Sequence, residues 1–319
     1  MAERSNQRAQ VSATKRPDDL KRPGTSKRPD ATKRPTSIEL YTLASEAAAS
    51  QVIAAYSTSF GWATKLLGQE FCQPVENIYA LVRVADEIVD GAAAGAGETN
   101  PGQLLDELEA ETYRAMGSGF STNIVVHAFA RTAREAGIGR DIVEPFFYSM
   151  RQDLTVVEHD QASFDRYVYG SAEVVGLMCL KVFVNGRNYS EAEHATLVAG
   201  ARALGAAFQK VNFLRDLAAD FKALGRSYFA NVNAANFDEA TKARLVADIE
   251  HDLAVARASL TLLPNRPRRA VAAALGLFAK LNARISQTPA TTLIEARIRV
   301  PNAQKLVILA RAVISPTSL

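Results

Sequence analysis

The chain has 319 residues, of which 48% are hydrophobic and 22% are charged, so it can bury one large core or two ordinary ones. Its two cysteines, Cys72 and Cys179, lie in apolar stretches, which gives no sign of a disulfide framework or a thiolate metal cluster. The four histidines show no zinc-binding spacing. These features predict a cytoplasmic protein without a zinc site.

Charge divides the chain into two regions. Residues 1–37 contain ten basic and four acidic residues, a net charge of +6, whereas the remaining 27 basic and 30 acidic residues give −3. The basic character therefore belongs to the first region, and nothing in the second predicts a nucleic-acid surface. Residues 1–37 lack the apolar core of a secretory signal. The longest apolar runs, 174–180 and 270–279, are far shorter than the roughly 20 residues of a spanning helix, so we predict that the chain does not cross a membrane.

The first element in chain order is a basic tail, residues 1–37, in which Lys-Arg-Pro recurs at a period of six from Lys15, Lys21, Lys27 and Lys33. The tail has almost nothing to bury, so we predict that it is disordered. In a polyproline II conformation, with about three residues per turn, this period places the four basic pairs on one side. Such a stripe predicts peripheral contact with an anionic membrane. A solubilising leader without a partner is the alternative.

From residue 38 onward, apolar residues recur at spacings of three and four, which is typical of helices. Clusters of glycine and proline mark the breaks, convincing alternating strands are absent, and no second linker occurs. We therefore predict one all-α domain over residues 38–319. Its helices are expected near 40–56, 75–90, 102–116, 122–136, 139–155, 163–185, 190–221, 238–262, 267–286 and 302–313.

The predicted helix over 75–90 carries a first acidic motif, Asp86-Glu-Ile-Val-Asp90. Polar residues follow one another on this otherwise apolar helix at spacings of four, three and four, and so form one stripe: Tyr79, Arg83, Asp86 and Asp90. Two carboxylates one helical turn apart, about 6 Å along the axis, can reach the same hard cations.

The predicted helix over 190–221 repeats this arrangement with polar residues at spacings of three, four and four: Gln209, Asn212, Asp216 and Asp220. One such acidic pair is more often a solvated helix face than a ligand site. Two pairs, each with an amide or guanidinium nearby, instead predict two helices that face a shared cavity. Facing carboxylates would repel by roughly 4 kcal/mol per close pair at an effective dielectric of 20, so a cation between them is expected.

The ligand chemistry follows from the donor atoms. Oxygen ligands favour Mg²⁺, with Mn²⁺ as the alternative, and Mg²⁺ shares its coordination shell with substrate phosphates. The expected ligand is a diphosphate, which Arg83 and Arg215 would also hold. An allylic prenyl diphosphate bound in this way would ionise to a carbocation and pyrophosphate. The cation needs a dry pocket with aromatic faces, for which the candidates are Phe60, Tyr79, Tyr167 and Phe208.

Several segments of the chain resemble the head-to-head prenyl synthases, the family that includes phytoene, squalene and dehydrosqualene synthases. The resemblance extends from about residue 41 to 309 and rests on residues 56–60, 78–90, 167–176, 209–220 and 225–229. It implies a single-domain helical bundle of the isoprenoid-synthase type with a central cavity.

The resemblance also assigns roles to residues. It assigns the metal and diphosphate site to Asp86, Asp90, Asn212, Asp216 and Asp220. It assigns contact with diphosphate oxygens, or the shaping of the cleft, to these residues: Ser57, Ser59, Tyr79, Arg83, Gln209, Arg215, Arg226 and Tyr228. It assigns the pocket wall to Phe60, Tyr167, Ala172, Val175 and Gly176. Gly176 would leave room for a prenyl chain. The expected catalytic set is Asp86, Asp90, Asp216, Asp220, Arg83 and Tyr167. Two departures from the family pattern are Glu87, where many relatives have a second aspartate, and Phe278, where an aromatic hydroxyl is common.

The motifs at residues 86–91 and 170–176 most resemble those of bacterial phytoene synthases. This resemblance implies that two geranylgeranyl diphosphates condense to phytoene through a cyclopropylcarbinyl diphosphate, in carotenoid biosynthesis and without a nicotinamide. Within the family, the alternative is a squalene, dehydrosqualene or hydroxysqualene synthase that acts on farnesyl diphosphate. Outside it, the alternatives are an elongating prenyltransferase or terpene cyclase, and a non-catalytic helical scaffold with a tethering tail.

Overall fold

The computed structural model of the protein describes residues 34–57, 63–156, 158–219, 228–230, 232 and 236–317. Within these ranges the chain forms helices and no β-strand, which confirms the all-α prediction. Most of the tail, whose disorder is predicted above, lies outside the described residues. One compact unit begins at Ser37.

The helices are, in chain order, α1 (Ser37–Tyr56), α2 (Gln69–Val89), α3 (Ala92–Gly95), α4 (Pro101–Ser118), α5 (Ile124–Ala136), α6 (Arg140–Asp153), α7 (Gln161–Val168), α8 (Val174–Val184), α9 (Glu191–Ala219), α10 (Glu239–Ser259), α11 (Asn265–Gln287), α12 (Ala290–Leu293) and α13 (Asn302–Ile314). Every predicted helix is present, and the largest shift of a boundary is at α2, which begins at Gln69 rather than near 75. The one-turn helices α3 and α12 were not predicted, because a single turn is too short to show a period.

Capping residues fix several helix ends. Asn123 accepts hydrogen bonds from the backbone N–H groups of Val125 and Val126 at the start of α5. Asp160 does the same for α7 through the N–H of Ser163. These side chains satisfy donors that have no partner within the helix, so the chain turns into each helix at a defined residue.

A π-helical turn, Tyr169–Glu173, joins α7 to α8 and makes one continuous helical segment, Gln161–Val184. Within the described ranges, this segment is long and apolar enough to cross a membrane by length and composition alone. Half of its most apolar window is buried inside the protein, however, as in the core helix of a globular fold. The apolar runs in the sequence are shorter than this segment because polar residues of the π turn interrupt them.

Two long helices, α2 and α9, are each held in place by several neighbouring elements. Helix α9 packs against α8, the π turn and α10, whereas α2 packs against α1, α4 and α5. Large side chains of α5 and α6 are fully buried in the core, among them Phe129, Phe146 and Phe147. Their burial stabilises the fold by roughly 1.5–3 kcal/mol per side chain.

Two glycines allow α8 and the π turn to approach α9 closely. A Cβ atom on Gly176 would lie 2.4 Å from the carbonyl oxygen of Ala201, and one on Gly205 would lie 2.5 Å from that of Ala172. Both obstacles are backbone atoms, which cannot rotate away. The glycine at position 176 is therefore required by helix packing, a role that the resemblance did not imply.

We expect Gly176→Ala to destabilise the protein by about 1–3 kcal/mol, because the methyl group must push two helices apart. Urea denaturation monitored by circular dichroism would measure the change. Gly117→Ala is the matched control, since a Cβ there meets open space in α4, and alanine should stabilise that helix by up to about 1 kcal/mol. A Gly176→Ala variant as stable as the natural chain would contradict the packing role.

Candidate functional site

A cavity of about 290 Å³ lies among α2, the π turn, α8, α9 and α11. Its wall is almost wholly apolar and includes Ile78, Tyr79 and Val82 from α2, Leu204 and Phe208 from α9, and Ala270 and Ala274 from α11. Three of the predicted wall residues also line it: Ala172, Val175 and Gly176. The two helices that carry acidic motifs thus line one apolar chamber.

The first acidic motif lies at the C-terminal end of α2. Tyr79, which lines the cavity, lies two helical turns before Asp86 on the same polar stripe of α2. Its hydroxyl is hydrogen-bonded to Ser57. An Nη atom of Arg83 lies 2.6 Å from Asp86 Oδ2. Partial burial raises the pKa of Asp86, the guanidinium of Arg83 opposes this rise, and the charge of Asp90 adds to it. The motif is therefore a pair of mutually repelling carboxylates steadied by one arginine.

Glu87, the first departure from the family pattern, orients that arginine. Its carboxylate pairs with the second Nη of Arg83 and accepts a hydrogen bond of 2.7 Å from the N–H of Ala92 at the start of α3. Burial acts to raise the pKa of Glu87, but these hydrogen bonds hold it below its ordinary value. Tyr56, whose ring centroid lies 4.2 Å from the Arg83 guanidinium carbon, was missed as a site residue. Its only signal in the sequence was its place in the segment 56–60.

The second acidic motif lies near the C-terminal end of α9. Asp216 pairs with Arg215, at 2.5 Å, and with Arg297, at 2.6 Å. Arg297 comes from the segment between α12 and α13 and was missed because 81 positions separate it from Asp216. Asn212, one turn earlier, has a buried Oδ1 atom without a hydrogen-bond partner among the described residues. Gln209 is half-buried on the same helix.

An aromatic cluster packs against α9 through Phe213. The hydroxyl of Tyr167 donates to Asp153 Oδ1 at 2.8 Å, and Tyr167, a predicted wall residue, is not among the described residues that line the cavity. Burial raises the pKa of Tyr167 well above its ordinary value, with further contributions from Asp153 and Asp90. The Tyr167 ring lies 6.1 Å from that of Phe213, which neighbours Asn212 in the chain. The charge of Asp90 at the end of α2 therefore acts on a tyrosine that contacts α9 through Phe213.

Tyr228 completes this cluster. Its ring stacks on Phe213 with a centroid distance of 4.1 Å and lies 5.7 Å from that of Tyr167. Phe278, the second departure from the family pattern, stacks on the cavity-lining Phe208 at 3.7 Å. An apolar ring at position 278 thus extends the aromatic wall. Other predicted site residues lie outside the described residues: Ser59, Phe60, Asp220 and Arg226.

The donor atoms of the two acidic motifs fit Mg²⁺. They are carboxylate oxygens and the amide oxygen of Asn212, which is buried and has no hydrogen-bond partner in the described part of the chain. In the described part of the chain, no three Asp, Glu, His or Cys side chains come close enough together to hold a metal ion. Guanidinium groups pair with Asp86 and Asp216 instead. Arginines therefore supply the positive charge beside these two carboxylates in this structure.

Comparisons with known proteins found related sequences and structures. A family model described as squalene/phytoene synthase matches residues 53–304. The chain is 28% identical over 260 residues to a 15-cis-phytoene synthase of Pantoea ananas, covering 75% of this chain and 82% of that protein. It is 27% identical over 281 residues to a 15-cis-phytoene synthase of Enterobacter agglomerans, covering 80% and 90%. A solved dehydrosqualene synthase superimposes with a TM-score of 0.71 at 19% identity, covering 88% of this chain and 99% of that one, which confirms the predicted helical fold.

Proposed function

Because the chain belongs to the squalene/phytoene synthase family, we propose that it condenses two geranylgeranyl diphosphates head to head to phytoene, a step of carotenoid biosynthesis. Membership of the family already makes it a prenyltransferase that acts on prenyl diphosphates. The observation that carries the proposal is an apolar cavity lined by the two helices that bear the acidic motifs. The 15-cis-phytoene synthases aligned over most of their length support the choice of product.

The diphosphate is proposed to dock beside the two acidic motifs. Guanidinium groups bind phosphate oxygens through paired hydrogen bonds, and three arginines pair with carboxylates of these motifs: Arg83, Arg215 and Arg297. Mg²⁺, when bound by Asp86, Asp90, Asn212, Asp216 and Asp220, supplies positive charge that stabilises the departing pyrophosphate. The arginines would then turn from the aspartates to the diphosphate.

The prenyl chains are proposed to lie in the apolar cavity. Its wall excludes water, which would otherwise capture an allylic cation. The faces of Tyr79 and Phe208 are placed to stabilise positive charge. In the first step, C1 of one chain bonds to C2 and C3 of the other, with loss of pyrophosphate and a proton. In the second, the cyclopropylcarbinyl diphosphate loses pyrophosphate, rearranges and loses a proton, so no reductant is consumed.

Mass spectrometry of the hydrocarbons formed from C15 and C20 diphosphates, with and without a reduced nicotinamide, tests this proposal. We expect a C40 hydrocarbon from the C20 substrate without nicotinamide. A C30 hydrocarbon made preferentially from the C15 substrate would replace the proposal with the alternative activity within the family. A longer diphosphate or a cyclised hydrocarbon would exclude head-to-head condensation.

The non-catalytic alternative has its own test. A ligand at about a hundred times its Kd stabilises the protein by roughly 2.7 kcal/mol, so Mg²⁺ with a prenyl diphosphate should raise the melting temperature. An unchanged melting temperature would favour the helical scaffold.

A further inference from the structure

Helix α13 has apolar residues on two faces. It packs against α11, and its buried residues are Ile308 and Ala312. Its other large apolar residues are exposed by 56%, 53%, 39% and 83%, in the order Leu306, Val307, Val313 and Ile314. A surface helix that buries one face ordinarily carries polar residues on the other. Helix α13 departs from this pattern.

The exposed apolar residues of α13 form one continuous stripe. At about 100° per residue, six exposed apolar positions fall within an arc of about 120° around the helix axis, and the buried Ile308 and Ala312 lie on the opposite side. Each turn of the helix contributes to this arc, which extends about 17 Å along the axis. We call these residues the α13 stripe: Ala303, Leu306, Val307, Ala310, Val313 and Ile314.

A groove of about 340 Å³ borders the stripe between α11 and α13. Two residues of the stripe, Ala303 and Val307, line this groove together with Lys280 of α11 and Arg311 of α13. Both basic residues are exposed, and within the described part of the chain neither side chain forms an ion pair. Helix α13 contains no acidic residue. The apolar stripe and the basic groove therefore form one surface, because they share two residues.

An anionic lipid bilayer fits this surface. An interfacial helix lays its apolar side chains at the boundary between headgroups and acyl chains, and basic residues beside it attract anionic headgroups. Prenyl diphosphates, on which the family acts, carry a long apolar chain and partition into the same kind of bilayer. A protein that docks there meets its substrate.

A second copy of this chain fits the surface less well. A stable interface between two proteins takes roughly 20–30 residues from each of them, whereas the stripe has six. In a symmetric dimer the same surface of both copies meets, so the basic residues of the two grooves would lie near each other and repel. Size and charge therefore favour a lipid surface over self-association.

We propose that the α13 stripe docks on an anionic phospholipid bilayer. The four large side chains of the stripe enter the boundary between headgroups and acyl chains, and the groove binds a headgroup phosphate through Lys280 and Arg311. This inference concerns membrane binding and does not rest on the choice of phytoene as the product.

Sedimentation with vesicles tests the apolar half of the proposal. The full chain is mixed with vesicles of phosphatidylcholine, alone or with about 30% phosphatidylglycerol to supply negative charge. We expect Leu306→Ser with Val307→Ser to weaken binding to the anionic vesicles about tenfold or more. The matched control is Leu40→Ser with Leu43→Ser on α1, where the residues are 59% and 56% exposed, and binding should stay within about twofold of the natural chain.

Neutral variants of the groove test the charged half. We expect Lys280→Gln with Arg311→Gln to weaken binding to the anionic vesicles about tenfold and to reduce its dependence on sodium chloride concentration. Binding to phosphatidylcholine alone should change less than about twofold. Arg114→Gln with Arg244→Gln removes the same charge from exposed positions on α4 and α10, so it is the matched control and should keep the binding of the natural chain.

Two further measurements separate membrane contact from a damaged fold. The helical circular dichroism of every variant should equal that of the natural chain, because the replaced side chains are exposed. Val313→Ser with Ile314→Ser, at the other end of the stripe, should weaken vesicle binding as Leu306→Ser with Val307→Ser does. Every variant keeps residues 1–37, so any contribution of the tail to binding is the same in all of them.

Four results would overturn the proposal. The first is binding to anionic vesicles by both serine variants of the stripe that equals that of the natural chain. The second is an equal loss in the α1 control, which would show that any exposed apolar residue contributes. The third is an equal loss in the Arg114 and Arg244 control, which would leave the groove without a special role. The fourth is a dimer in sedimentation equilibrium that the Leu306 and Val307 variant dissociates, since a second copy would then be the occupant.

Discussion

Asp86→Ala and Asp216→Ala are each expected to lower turnover by about a thousandfold or more, which corresponds to roughly 4 kcal/mol of transition-state stabilisation. Asp86 lies on α2 and Asp216 on α9, the two helices with acidic motifs that line the cavity, and each carboxylate pairs with a guanidinium group. Without either one, the proposed metal site loses a ligand and the departing pyrophosphate loses positive charge. The rate of hydrocarbon formation measures the effect.

Two controls accompany these variants. Asp165→Asn, on the exposed side of α7, should leave turnover unchanged, because this residue lies outside the site. The helical circular dichroism of Asp86→Ala and Asp216→Ala should match that of the natural chain, since neither side chain is part of the buried core. Unchanged turnover in both alanine variants would refute the assignment of the metal and diphosphate site.

Ala274→Phe is expected to have the second largest effect, a loss of about a hundredfold in turnover of the C20 substrate, because a displaced substrate reacts slowly. Ala274 is a buried residue of α11 that lines the cavity, so a phenyl ring there occupies space that a prenyl chain would need. The shorter C15 substrate should lose less activity, which shifts the product from a C40 to a C30 hydrocarbon. Competition between the two diphosphates, with products resolved by mass spectrometry, measures this shift.

Ala110→Phe on the exposed side of α4 is the matched control for this substitution and should leave both substrates unaffected. Because the ring of Ala274→Phe enters an existing cavity, the melting temperature of that variant should fall little. Equal losses with both substrates would show that Ala274 does not set chain length. Undiminished turnover would show that the prenyl chains lie elsewhere.

The helices and their acidic stripes could be predicted from the sequence because both depend on neighbours along the chain. Apolar spacing of three and four sets which side of a helix is buried, and the same spacing places Asp86 one turn before Asp90. The pairing of Arg83 with Asp86 is likewise local, since three positions separate them on one helix. A resemblance of motifs then added the family and its chemistry, which periodicity alone does not give.

Contacts between distant parts of the chain were decided by the tertiary structure. Arg297 reaches Asp216 across 81 positions, and the hydroxyl of Tyr167 bonds to Asp153, 14 positions away. Gly176 serves a helix contact because α9 presents a backbone carbonyl to it. Such contacts depend on how helices pack and where loops return, and no local spacing encodes either. The sequence alone thus determined the helices, their polar stripes and the charge of the tail, whereas packing decided which side chains meet around the cavity.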